Sequence, residues 1–311
     1  MSKSPAERRS AALRRFGMSI TALTVLGHTV LGFEQAYLTP VVAVLAALAT
    51  EITLESVEAA VEKRRPRYTG KTGAVVDFLL PAYITGVACA MLLFANDRFL
   101  PTVLAAVAGV ATKYVFRVRI AGKSRHVLNP SNAGIVVVLL LFPWVGIAPP
   151  YEFTEWVTGA WGAVVPALLL IAGTMLNAQL TGKIPLILGW AGGFLAQAVL
   201  RTLITDISLV SAILPITGTA FILFTNYMIT DPGTTPSSRR GQVLFGLATA
   251  VVYGVLVQFH VVFGLFFALV ITCVLRAVVL VLADRRSPQW NVLVPSQRAA
   301  AEPPVQAREL A

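Results

Sequence analysis

VVFGLFFALVITCVLRAVVLVLA, residues 261–283, is apolar around its whole circumference apart from Arg276. An α-helix rises about 1.5 Å per residue and the hydrocarbon core of a bilayer is about 30 Å thick, so about 20 such residues cross it. A helix with no polar face is read as membrane-embedded rather than as the surface helix of a soluble domain. Working outward, similar runs are predicted at 16–33, 37–57, 76–95, 99–116, 132–147, 158–176, 184–202, 208–229 and 241–258. With 261–283 they make ten expected spans, and the fold class is an all-α polytopic membrane protein.

Composition agrees. The 311 residues are 56% hydrophobic and 13% charged, with mean hydropathy +0.75, against about 25% charged residues in a soluble domain. The net charge of +10 points to nucleic acid only if the basic residues form a soluble surface. They stand instead in short segments between apolar runs, where membrane topology accounts for them and no nucleic-acid partner is implied. All Lys and Arg except Arg98, Lys113, Arg201 and Arg276 fall in segments that are cytoplasmic when the N-terminus is inside. The expected arrangement is therefore an inner-membrane protein with both termini in the cytoplasm and the lipid bilayer as its first partner. The organisation reads as a basic tail over 1–15, a bundle over 16–283, and a proline-containing, disordered tail over 284–311. The first apolar run is a span, not a removed leader, because no small-residue cleavage site precedes a soluble domain.

Cys89 and Cys273 lie inside apolar runs, without metal-site or disulfide spacing. Iron–sulfur and paired-histidine haem patterns are also missing from the sequence. Charged groups within spans are costly, so each is weighed as a site. His28 and Glu34 bracket the end of the first span, Asp77 reads as a helix-start carboxylate, and Lys113 as a residue that snorkels to the inner boundary. Gln258 and His260 fall in an outer turn. Arg276 lies deepest and calls for a carboxylate or an anionic ligand. Glu51, Glu55, Glu58 and Glu62 recur at helical spacing and read as a solvated stripe facing the basic segment that follows.

Two corners concentrate polar residues at the inner membrane edge: HVLNPSNAG, residues 126–134, and NYMITDPGTTPSSRR, residues 226–240. Proline disfavours helix at the residue before it, so Asn129-Pro130 and Asp231-Pro232 end or start helices and leave amides free. Such ends are either capped turns or places that hold a phosphate, a flavin edge or a polar substrate group. The candidate site residues are Asn129, Ser131, Asn132, Asn226, Thr230, Asp231, Thr234, Thr235 and Arg276. The two proline steps also hint at an internal duplication of helical units.

NPSNAGIVVVLLLFP (129–143) and YMITDPGTTPSSRRGQVLFG (227–246) resemble motifs of the RnfD/NqrB family, the membrane subunit of Rnf-type and sodium-pumping NADH:quinone oxidoreductases. GHTVLGFEQAYLTP (27–40), LLFPWVGIAPPY (140–151) and FTNYMITDPGTTPS (224–237) are closer to the UnbU-type membrane proteins encoded with actinobacterial enediyne biosynthesis. The resemblance implies a ten-helix RnfD/NqrB-like bundle in a bacterial inner membrane, noncovalent FMN or riboflavin as cofactor, and redox partner subunits or a quinone exchanging electrons with it. Covalent FMN is not expected, because Trp161 stands where those relatives carry the attachment threonine of a Ser-Gly-Ala-Thr motif, and tryptophan cannot form the phosphoester. Three functions follow as expectations. The chain relays electrons or anchors a redox partner, transports a small molecule or biosynthetic product, or serves as an assembly anchor. No complete catalytic constellation is present for an enzyme acting alone.

Overall fold

The computed structural model describes residues 5–120, 123–148 and 159–286. These are mostly helical: α1 (Pro5–Leu26), α2 (Leu38–Val61), α3 (Thr72–Leu92), α4 (Phe99–Val115), α5 (Pro130–Leu141), α6 (Val164–Leu176), α7 (Ile184–Ile204), α8 (Leu209–Ile213), α9 (Thr219–Leu223), α10 (Arg239–Gln258) and α11 (Gly264–Arg286). Four short strands complete the described residues: β1 (Leu93–Phe94) pairs antiparallel with β4 (Gly146–Ile147), and β2 (Arg117–Ile120) with β3 (Lys123–His126).

Five helices, α2, α3, α7, α10 and α11, are long and apolar enough to cross a membrane. A sixth crossing is formed if the pair Leu209–Thr217 and Ala220–Met228, bent by 67°, counts as one span. The other apolar helices are shorter: α5 has 12 residues, about 18 Å at 1.5 Å per residue, and ends where Phe142 leaves the helical conformation. The expected fifth span over 132–147 is thus a short helix followed by the β4 strand. The chain before it, expected as a basic loop, is the β2–β3 hairpin. Helix α1 starts at Pro5, so Arg14 and Arg15 ride on a helix and not on a separate tail. Residues 149–158 and, from Ser287, the expected tail lie outside the described residues.

Large apolar side chains cover the outside as well as the core. Leu140, Leu141, Val251, Val279 and Leu282 are exposed, whereas Glu51, Glu55, Asn132, Asn177, Asn226 and Thr249 are buried. Apolar side chains outside and paired polar groups inside is the arrangement that a hydrocarbon solvent requires. Small residues let the helices approach closely: a methyl group on Gly134 would stand 2.0 Å from the Ala105 carbonyl oxygen, and one on Gly246 2.4 Å from that of Leu186. Those contacts join α4 to α5 and α7 to α10. Between α7, α9 and α10, Trp190 packs among Phe194, Phe221, Phe224 and Tyr253 and donates its indole N–H to Thr225 Oγ1 at 2.9 Å.

The two halves of the chain share a packing plan. In the first, α1 packs on α3, α2 on α3 and α4, and α4 on α5; in the second, α6 packs on α9, α7 on α8 and α10, and α10 on α11. The leading helix of each half ends in a π-helical turn, Gly27–Leu31 and Asn177–Thr181, closed by a left-handed glycine, Gly32 (φ 72°) and Gly182 (φ 63°). Each glycine N–H returns to the carbonyl five residues back. This shared plan does not pair the two proline steps, however. Asn129 lies between the fourth and fifth members of its half, whereas Asp231 lies between α9 and α10, the third and fourth members of the other.

Candidate functional site

The two corners meet. The Asn129 side-chain amide donates to the Met228 carbonyl at 3.1 Å across 99 residues of sequence. Gly233 comes so close to His126 that a methyl group on it would stand 2.6 Å from Nε2. Each corner is first a capped turn. Asn129 Oδ1 accepts from the Asn132 backbone N–H at 3.1 Å and from the Ser131 hydroxyl at 2.9 Å, fixing the start of α5. Asp231 Oδ1 accepts from the Gly233 N–H at 3.2 Å and its Oδ2 from the Thr234 hydroxyl at 2.9 Å, while Thr235 donates to the Asp231 carbonyl at 2.6 Å.

Beside this junction lies a cavity of about 750 Å³, walled by α1, α3, α5, α6 and the π-helical turn Phe224–Met228, with the β2–β3 hairpin at one end. Its lining includes Asn129, Ser131, Asn226, Thr230 and Asp231. Four other candidates frame the site without lining it. Asn132 is fully buried and donates to the Phe266 carbonyl. Thr234 and Thr235 turn back onto Asp231, and Arg276 donates to the Thr234 carbonyl at 2.7 Å. Arg276 thus stabilises the corner through a main-chain oxygen rather than holding a carboxylate.

The cavity is apolar towards α1 and α3, where Ile20, Leu23, Met91 and Leu92 face it, and polar towards the hairpin, where Glu51, Lys113, Arg117, Arg125 and His126 do. Phe16 and Tyr227, both in the wall, stack with centroids 5.3 Å apart and planes 17° apart. Helix α1 is held against α3 by Ser10 and Arg14, which donate to Asp77 at 3.0 and 2.9 Å. Asp77 is therefore an interhelix acceptor, not a helix-start residue; α3 begins five residues earlier, at Thr72.

The glutamate stripe is a solvated face only at its end, where Glu62 is exposed. Glu51 and Glu55 are buried, because α4 and the turn after α2 cover them with cations. Lys113 donates to Glu51 at 2.6 Å instead of snorkelling, Tyr114 to the same carboxylate at 3.1 Å, Arg64 to Glu55 and Glu62, Arg67 to Glu58, and Arg117 to Glu58. Sequence reasoning also passed over Asn177 and Lys183. Asn177 donates to the carbonyls of Gly173 and Asn226, both at 2.8 Å, joining the π-helical turns of 177–181 and 224–228. Lys183, buried just ahead of α7, donates to the Pro236 carbonyl at 2.7 Å. Burial pushes its ammonium down to about 8, opposed by Asp231 and reinforced by Arg276. The Lys183 signal was its neighbour Gly182, a helix-ending glycine that turns the next residue inward.

Of the other charged positions, Glu34 is exposed, and the His28 ring nitrogen Nδ1 pairs with the Thr24 carbonyl at 2.8 Å. In the Thr158–Trp161 string, Thr158 lies outside the described residues and Gly159–Ala163 forms a 3₁₀ turn. Among the described residues no group of three or more His, Cys, Asp or Glu side chains is arranged to hold a metal ion. The chain matches no protein-family model, and none of the curated proteins matches it significantly.

Proposed function

We propose that this is a ten-helix RnfD/NqrB-like protein of a bacterial inner membrane, with both termini cytoplasmic, that holds FMN or riboflavin noncovalently in the cavity beside Asn129 and Asp231. In this reading it relays electrons to redox partner subunits or a quinone, or anchors such a partner, in the setting of enediyne biosynthesis that its UnbU-like phrases imply. Ten spans require α1, the shorter helices α4, α5 and α6, and the bent pair to cross with the five long ones, and the distribution of Lys and Arg orients them. The observation that carries the reading is the cavity itself. At about 750 Å³ it falls within the roughly 300–1,000 Å³ of small-molecule pockets. It joins an apolar, aromatic wall to a polar inner end, as a planar ligand with a polar edge demands.

A second reading, passage of a small molecule, is favoured by one observation: the cavity lies between two halves of like packing plan and is walled by interrupted helices, as in many transporters. Absorbance and fluorescence spectra of the detergent-purified protein, before and after acid precipitation, separate the two. Flavin released by acid supports the redox reading; flavin retained in the pellet overturns the argument from Trp161. No flavin, even after growth with riboflavin and addition of FMN, favours passage.

A further inference from the structure

Two arginines reach the hairpin end of the cavity from distant segments. Arg67 opens the 3₁₀ turn Arg67–Thr69 after α2, and Arg117 opens β2. Both line the cavity and both meet one carboxylate: Arg67 Nη2 lies 3.4 Å from Glu58 Oε2, and Arg117 Nη1 donates to Glu58 Oε1. Each guanidinium also lies over an aromatic ring of the cavity wall, Arg67 over Phe78 at 5.8 Å and Arg117 over Tyr114 at 4.7 Å. A guanidinium held at one edge by a carboxylate and on one face by a ring keeps a fixed plane, so its remaining N–H groups form a preset fork. Those groups are accessible. The side chains of Arg67 and Arg117 are 53% and 28% exposed, and neither Arg67 Nη1 nor Arg117 Nη2 bonds to a described residue. Glu55 and Glu58, which hold the two arginines, are not part of the cavity wall, so the cavity meets the guanidiniums and not those carboxylates. The carboxylates that do line it are engaged: Glu51 by Lys113 and Tyr114, Asp77 by Arg14 and Ser10, and Asp231 by Gly233 and Thr234. Arg125, also in the wall, is in no ion pair with a described residue.

We infer that Arg67 and Arg117 form an anion seat that takes the phosphate of a ligand whose apolar body lies against the α1 and α3 wall. A phosphate monoester brings nearly two negative charges and several terminal oxygens, which two planar forks from different segments can hold together by charge-assisted hydrogen bonds. The inference rests on the flavin reading above for the body of the ligand and adds its charged end: the flavin is FMN and not riboflavin. An anionic phospholipid offers the same phosphate chemistry from the membrane side, and the experiment separates the two sources.

The experiment is a fluorescence-quenching titration of the full-length, detergent-purified protein with FMN and with riboflavin, which share the ring and differ in the phosphate. The wild-type protein is expected to bind FMN about tenfold more tightly, the scale of a charge-assisted hydrogen bond, and high salt is expected to narrow the margin. Arg67→Gln and, separately, Arg117→Gln are expected to bring FMN to the riboflavin affinity, and the riboflavin binding that remains shows that each variant is folded. Equal binding of the two flavins by the wild-type protein overturns the inference and leaves the flavin reading standing. An FMN preference that persists in both variants overturns the assignment to these arginines. If neither flavin binds, the flavin reading falls, and thermal unfolding with added phosphatidylglycerol or phosphatidylcholine decides the seat. Stabilisation by phosphatidylglycerol alone, lost in both variants, keeps the phosphate seat with a lipid as its ligand; no difference between the two lipids overturns the seat as well.

Discussion

The Lys113 ammonium lies 2.6 Å from Glu51 Oε2, tying α4 to α2 across 62 residues of sequence, with both groups in the wall of the cavity. The carboxylate is almost wholly buried, its side chain 3% exposed. A pair of this kind is weak evidence for net stability, but breaking it strands a charge. Lys113→Met is therefore expected to destabilise the protein by about 3–5 kcal/mol. Adding Glu51→Gln should recover most of that loss. Thermal unfolding in detergent of both single variants and the double variant checks the coupling; additive effects would show that the two groups act independently.

The glycines of α7 differ in a way that a melting series reads directly. A methyl group on Gly189 would stand 2.5 Å from the Val243 carbonyl oxygen, whereas nothing lies within 4 Å of one on Gly192. Gly189→Ala should cost about 1–3 kcal/mol by overpacking against α10. Gly192→Ala should gain about 0.4–1 kcal/mol through the unfolded chain. Equal shifts for both would contradict the α7–α10 contact.

Asp231→Ala removes the acceptor of the Gly233 amide and the Thr234 hydroxyl, two bonds that shape the corner. A loss of about 1–3 kcal/mol is expected, together with weaker flavin retention and unchanged membrane insertion. Fractionation, flavin content and melting temperature, measured on the same preparation, report the three effects separately.

Lys183 gives a pH dependence of defined sign. Its folded-state value of about 8 lies below the ordinary 10.5 of lysine, with burial the largest cause. Between those values the unfolded chain holds more protons than the folded one, so stability rises with pH across that interval. Below pH 8 both states are charged and the burial penalty is constant. Compared with Lys183→Met, the wild-type protein should gain melting temperature from pH 8 to pH 10; parallel curves would mean that the ammonium is not desolvated.

Opening the cavity should depend on Asp77. Asp77→Asn weakens the pair with Arg14, which is half exposed, so its cost to stability should stay at or below about 1 kcal/mol. The same change should raise the labelling rate of a cysteine introduced at Ala12, which is buried in the cavity wall. An unchanged rate would show that α1 is held by its apolar face alone.

Much of this architecture was legible in the chain. The apolar run of 261–283 reads as a helix because a single helical segment satisfies its own main chain in hydrocarbon, and α11 covers it from Gly264. Asn129-Pro130 and Asp231-Pro232 read as helix boundaries because proline restricts the residue before it; Asn129 caps the start of α5, whereas Asp231 lies in the corner that follows the helical turn ending at Met228. The partners of Glu51 and Asp77 were not legible. Helical spacing assigns a residue to a face but not to a neighbour, and the cations that cover these carboxylates come from tens of residues away.

The sequence by itself determined a helical, lipid-facing protein and two polar corners, because hydropathy, proline geometry and glycine punctuation act over a few residues. Only the tertiary structure decided that those corners touch, that Arg276 faces a main-chain oxygen while Lys113 finds a carboxylate, and that Asn226 packs against Gly173. Those outcomes depend on which helices lie side by side, and that is set by small-residue contacts such as Gly134 against Ala105, whose energies arise only when distant segments pack together.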